Sequence, residues 1–168
     1  MVGMHRASYT VLISKEEDTI RVGEIIGRSL KPGDIVALKG ELGAGKTVLV
    51  KGIARSLNLK EEPNSPTFVV MNAYEGEIPL YHFDLYRVSS RNELEGIGYE
   101  DFFFGDGVTV VEWADRVEEV FPEGTIGINI KIPEREGTDS SEMREIRVEG
   151  EEKWLSLFRS MVERVLQI

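Results

Sequence analysis

The run Gly40-Glu41-Leu42-Gly43-Ala44-Gly45-Lys46-Thr47 narrows the folds open to this chain more than any other segment. It satisfies G-x-x-x-x-G-K-[ST] at every fixed position, the pattern of a phosphate-binding loop. Glycines let such a backbone curl until its N–H groups point inward at phosphate oxygens. Lys46 then reaches the outer phosphates as a mobile point charge, and the Thr47 hydroxyl is placed to ligate Mg²⁺. The four fixed positions coincide by chance in roughly one chain of this length in a couple of hundred, so the flanks decide. Asp34 to Lys39 reads as a buried strand. Val48 to Leu57 reads as a helix with Leu49, Val50, Ile53, Ala54 and Leu57 on one side. Strand, loop and helix in that order are what the motif requires, because the helix N-terminus adds its dipole and free N–H groups to anion binding.

The rest of the pattern extends this unit into an α/β domain. Tyr9 to Ile13 reads as a strand, and Ser14 three before Glu17 has the form of a capping box opening a helix over Glu16 to Leu30. Gly23 and Gly27 on that helix suit close packing against a sheet. Thr67 to Tyr74 and Pro79 to Tyr86 read as a hairpin around Glu75-Gly76-Glu77. Short helices follow over Ser89 to Gly98 and Tyr99 to Phe104, then a β-branched strand, Val108 to Trp113, and a short helix, Asp115 to Val120. Thr125 to Ile132 alternates as a strand, Glu134 to Ser141 is a polar loop, and Met143 to Val148 is a further strand. An amphipathic C-terminal helix occupies Glu151 to Leu166, with Trp154, Leu157, Phe158, Met161 and Val165 at helical spacing. The expectation is one domain, 1–168, of P-loop NTPase-like three-layer α/β form, with a mixed parallel and antiparallel sheet.

Composition removes several functional classes. There is no cysteine, so disulfides and thiolate metal sites are excluded; His5 and His82 alone cannot build a zinc site. No apolar run approaches membrane-spanning length, and the first residues lack a signal-peptide core. These features point to the cytoplasm. The net charge of −10 repels nucleic acid on average and suits a basic protein partner better.

Nucleotide hydrolysis needs a carboxylate to organise Mg²⁺ and a group that orients water. Two predicted strands end in acids. In Leu80-Tyr81-His82-Phe83-Asp84, alternation places Tyr81, Phe83 and Leu85 on one face and His82, Asp84 and Tyr86 on the other. Val108 to Trp113 delivers Glu112. Either acid can be the metal holder and either the water orienter. Thr67, in Asn64-Ser65-Pro66-Thr67-Phe68, stands where a switch segment senses the γ-phosphate. His82 is either a polarising group or a solvent-facing strand residue. Arg87, Arg91, Arg144 and Arg147 are candidate nucleotide contacts. The Asn-Lys-x-Asp guanine element of GTPases is absent, which favours ATP.

The P-loop, Ser65-Pro66-Thr67-Phe68, His82-Phe83-Asp84-Leu85-Tyr86-Arg87 and Glu112-Trp113, in this order and spacing, resemble the TsaE family, also called YjeE. The resemblance runs from about Ser14 to Arg147. It implies a bacterial ATPase that works with the TsaB and TsaD subunits in threonylcarbamoyl-adenosine modification of tRNA, touching tRNA only through that complex. It further implies ATP and Mg²⁺, and slow intrinsic hydrolysis stimulated by the partners. Carried over, Gly40, Leu42, Gly43, Ala44, Gly45 and Lys46 hold phosphate, and Thr47, Asp84 and Glu112 serve the metal. Lys46, Thr67, Asp84 and Glu112 carry the chemistry. Glu16 and Thr19 fall near adenine, and Arg144 approaches the nucleotide. Val48 departs from the family, where a second hydroxyl residue commonly follows the P-loop threonine. The remaining alternatives are a small-molecule kinase on the same loop and a non-catalytic nucleotide switch.

Overall fold

Alternation of β-branched and small residues builds the strands, and the buried faces decide how they stack. In a computed structural model that describes residues 6–63, 70–134 and 142–168, the strands are β1 (Arg6–Ile13), β2 (Ile35–Gly40), β3 (Met71–Tyr74), β4 (Leu80–Asp84), β5 (Val108–Glu112), β6 (Ile126–Lys131) and β7 (Arg144–Glu151). They form one sheet in the order β1-β7-β6-β2-β5-β4-β3. The inner four, β6, β2, β5 and β4, run parallel. Antiparallel β7 and β1 extend one side, and β3 extends the other as a hairpin partner of β4. The sheet is therefore mixed.

The helices are α1 (Glu16–Ser29), α2 (Lys46–Ser56), α3 (Arg91–Ile97), α4 (Tyr99–Phe103) and α5 (Glu152–Leu166), with a 3-10 segment at Ala114–Val120. On β2, Val36 and Leu38 face a core shared with Ile25, Leu49, Ile53 and Phe158 of α1, α2 and α5. Ile35 and Ala37 face the opposite core with Phe83, Leu94 and Phe103. Period-two alternation in a fully buried strand thus produces three layers. Because β2 is central and parallel to β5 and β4, the C-terminal ends of these strands gather the P-loop, Glu112 and Asp84 at one edge. Asp84 and Glu112 are register partners across β4 and β5.

Some expectations are corrected. The Ser14/Glu17 capping box does not form: Lys15 is the N-cap of α1, and no side chain caps it. The acids Glu16, Glu17 and Asp18 favour this helix start through its dipole instead. Gly23 and Gly27 pack against α2, not the sheet. A Cβ on Gly23 would lie 2.4 Å from the Leu49 carbonyl oxygen, and one on Gly27 would lie 1.8 Å from Ser56 Oγ. On α5 the buried line is Leu155, Phe158 and Val162, whereas Leu157 and Val165 are exposed. At about 100° per residue the buried line is centred between Phe158 and Val162, which leaves Val165 at its edge and Leu157 on the far side of the helix. Thr67 and its switch-like segment lie outside the described residues, as does most of the Glu134 to Ser141 loop. Among the described residues no helix is long and apolar enough to cross a membrane.

Candidate functional site

The P-loop leaves β2 at Gly40 and enters α2 at Lys46. Gly43 and Gly45 adopt φ values of 80° and 103°, a region costly for any residue with a Cβ. No atom lies within 4 Å of where a Cβ would be at either glycine, so the requirement is conformational and the space beside them is open. Gly45 is the N-cap of α2 and has no capping side chain. The N–H groups of the first turn have no intrahelical acceptor and are available as anion donors. Ala44 is fully buried and anchors the loop, while Leu42 stands 79 % exposed at its tip.

Lys46 lies across the loop. Its ammonium donates to the carbonyls of Gly40 at 2.6 Å and Glu41 at 2.9 Å, and sits 4.0 Å from the centre of the Trp113 ring. Burial lowers its pKa; Glu112, Asp84, Asp115 and Glu41 oppose the shift without cancelling it. Trp113 holds φ 58° and ψ 40°, a left-handed conformation rare for a bulky residue and characteristic of strained functional sites. Its ring packs on Tyr86 at 4.9 Å. The β5 end thus supplies both Glu112 and an aromatic lid over the lysine.

Glu112 is 2 % exposed and uses its two oxygens separately. Thr47 Oγ1 donates to Oε1 at 3.3 Å, and His82 Nε2 lies 2.7 Å from Oε2. His82 is fully buried, which corrects the solvent-facing alternative. It sits two residues before Asp84 on the face that alternation assigned to both. Asp84 is less enclosed. Its Oδ1 accepts the Tyr86 N–H at 3.0 Å. Burial raises its pKa and the neighbouring Glu112 charge adds to that; the Tyr86 N–H, His82 and Lys46 pull the other way.

On the other side of the loop, a cleft of about 790 Å³ is lined by Glu16 and Thr19 of α1, Ala44 and Gly45 of the loop, Val48 and Arg144. Arg144, at the start of β7, donates through Nε to the Ala44 carbonyl at 2.9 Å and through a terminal nitrogen to Gly43 at 3.5 Å. The structure therefore brings Glu16, Thr19 and Arg144 to the loop from distant parts of the chain. Leu166, from α5, reaches the same cleft. Arg91 and Arg147 are instead engaged by Glu95 and Glu149.

The sequence reading missed the roles of Trp113 and the His82–Glu112 contact; it named Arg144 as approaching the nucleotide, and the structure adds the contacts by which it braces the loop. A tryptophan directly after a strand-terminal acid was the available signal for the first. The family resemblance singled out Arg144 among the candidate arginines; the residues around it did not. Among the described residues no group of three or more His, Asp or Glu side chains could hold a metal by itself. Mg²⁺ does not need one: it binds through one or two protein oxygens, waters and substrate phosphates. The hard-oxygen pair of Thr47 and Glu112, beside a helix N-terminus, fits that requirement.

Comparison with known proteins gives a consistent answer. The family model for the threonylcarbamoyl adenosine biosynthesis protein TsaE matches residues 13–144. The TsaE protein of Treponema pallidum is 43 % identical over 116 residues, covering 69 % of this chain and 86 % of the relative. That of Bacillus subtilis is 41 % identical over 128 residues, covering 76 % and 78 %. The crystal structure of Bacillus subtilis YdiB superposes with a TM-score of 0.73 at 29 % identity, covering 96 % of this chain and 98 % of that one.

Proposed function

Since the chain belongs to the TsaE family of tRNA threonylcarbamoyladenosine biosynthesis, we propose that it binds and hydrolyses ATP–Mg²⁺ in complex with the TsaB–TsaD pair to support that pair's turnover. The observation that carries this reading is the Thr47–Glu112 contact: a buried carboxylate on the strand beside the P-loop, joined to the P-loop threonine. A phosphate-binding loop alone explains binding. A carboxylate held at the metal position explains why binding leads to hydrolysis.

In this reading the N-terminal turn of α2 and Lys46 hold the β and γ phosphates, the lysine exchanging its two loop carbonyls for phosphate oxygens. Thr47 and Glu112 hold Mg²⁺, which when bound neutralises charge developing on the transferred phosphoryl group. Asp84 lies beside Glu112 but is more accessible, which suits it to accept a hydrogen bond from the attacking water. Its raised pKa matches a group asked to take up a proton. The cleft takes the nucleoside. Val48 supplies apolar surface, and acceptors such as Glu16 and Thr19 suit the exocyclic amine of adenine and the ribose hydroxyls. The net charge of −10 directs the chain to proteins, leaving tRNA to the complex.

The test is phosphate release from ATP with and without purified TsaB–TsaD. Release that rises with the pair supports the proposal. ADP formation that depends on a small acceptor and ignores the pair would identify a kinase. ATP binding with no phosphate under any condition would identify a nucleotide switch.

A further inference from the structure

Buried imidazoles are costly unless both nitrogens are satisfied, and His82 satisfies one. The ring is fully enclosed, its Nε2 lies 2.7 Å from Glu112 Oε2, and its Nδ1 has no hydrogen-bond partner among the described residues. Glu112 as a carboxylate has no proton to give, so Nε2 carries the hydrogen and donates it. Leu80 precedes His82 on the same face of β4, and the register partner of His82 on β5 is Val110. Its register partner on β3, Asn72, turns its amide nitrogen to the Tyr74 hydroxyl and leaves Nδ1 unmet. A leucine would fill such a position without an orphaned polar atom. What the imidazole contributes that leucine cannot is one aimed N–H.

We infer that His82 is a positioning residue that acts through Glu112, holding the carboxylate so that Oε1 faces Thr47 and the metal position. The parallel register makes this possible. His82 sits two residues before Asp84, and Asp84 pairs with Glu112, so the ring leans forward along the sheet to reach the acid at the end of the adjacent strand. One oxygen is tied to the sheet through His82 and the other to the P-loop helix through Thr47. The carboxylate plane is then fixed at both ends, as outer-shell partners fix metal ligands generally. Without His82, Glu112 is a nearly enclosed charge with a single weak contact, free to turn from Thr47.

This inference rests on the reading that Glu112 serves nucleotide-bound Mg²⁺, and its test reads metal dependence separately from turnover. Binding of methylanthraniloyl-ATP is followed by fluorescence in EDTA and across a Mg²⁺ titration. For His82→Leu, the Mg²⁺ concentration at half-effect is expected to rise about 10- to 100-fold, with affinity in EDTA within about twofold of the parent. His82→Gln, whose amide nitrogen can take the place of Nε2, is expected to recover most of the loss. His82→Asn, whose amide falls short, is not. In a Glu112→Ala background, His82→Leu is expected to add no further loss. An unchanged Mg²⁺ dependence in His82→Leu, equal behaviour of the Gln and Asn variants, or full additivity with Glu112→Ala each overturns the inference. If thermal melting shows that His82→Leu does not fold, the comparison of Gln with Asn decides. A parent protein that binds no ATP in either condition overturns the functional reading itself, which the variants alone cannot do.

Discussion

Replacing Gly52 with alanine inserts a methyl group at the closest backbone approach between α1 and α2. The built Cβ would lie 2.2 Å from the Ile20 carbonyl oxygen and 2.9 Å from the Gly23 Cα. Both are backbone atoms, so no rotamer change relieves them. The oxygen contact is roughly 1 Å short of ordinary van der Waals separation, and the helices must slide or part by a comparable distance. Alanine returns about 1 kcal/mol through its better helix propensity. Overpacking costs about 1–3 kcal/mol, occasionally more, and a rigid two-sided backbone clash belongs at the upper end. The net expectation is a loss of about 2 kcal/mol, obtained by setting those two terms against each other. For a chain of this size that is a fall in Tm of about 4–8 °C.

Thermal melting followed by circular dichroism measures this directly. The sign is diagnostic, because propensity alone predicts a higher melting temperature. A Gly52→Ala protein that melts at or above the parent's temperature would falsify the account of α1–α2 packing. The same displacement has a functional consequence. α1 carries Glu16 and Thr19, α2 carries Val48, and all three line the cleft beside the P-loop. Nucleotide affinity is therefore expected to fall together with the melting temperature.

Lys46→Ala is expected to abolish productive ATP use, read as phosphate release with TsaB–TsaD present; retention of the parent rate would remove the lysine from phosphate binding. Glu112→Ala is expected to lower turnover far more than ATP binding, and equal severe losses in both would make Glu112 a nucleotide holder. Asp84→Asn keeps an oxygen for the Tyr86 N–H and removes a charge that burial disfavours. A carboxyl whose folded pKa is raised contributes stability that is full below its unfolded pKa, about 3.9, and is lost as pH rises through the folded value. Asp84→Asn should therefore melt above the parent near neutral pH, and the gap should close as pH falls below the ordinary carboxylate range. A gap independent of pH would show that the ionised carboxylate is not the source.

The parts of this molecule that were legible in its sequence are those whose physics is local. The P-loop is a run of eight residues whose glycines, lysine and threonine act on one another's immediate surroundings. The strand ending at Glu112 announces itself by β-branched residues, and alternation along β4 correctly put His82 and Asp84 on one face. Where the sequence misled, the missing information was the partner. Gly23 and Gly27 signalled close packing correctly, but their neighbour is α2, because Gly52 and Ser56 present a matching small-residue surface some thirty positions away. His82 could not be assigned to solvent or core from its own strand, since that depends on β5 lying parallel beside β4 with Asp84 level with Glu112. Arg144 was named only through the family resemblance, because nothing in its own segment places it. It touches the P-loop only because β7 and β6 extend the sheet on the β2 side and return the chain to Gly43 and Ala44. Motif spacing fixes which residues form the loop and its strand-end acids. The sheet order fixes which residues hold those in place, and substitutions at Gly52 and His82 probe residues that act only through their neighbours.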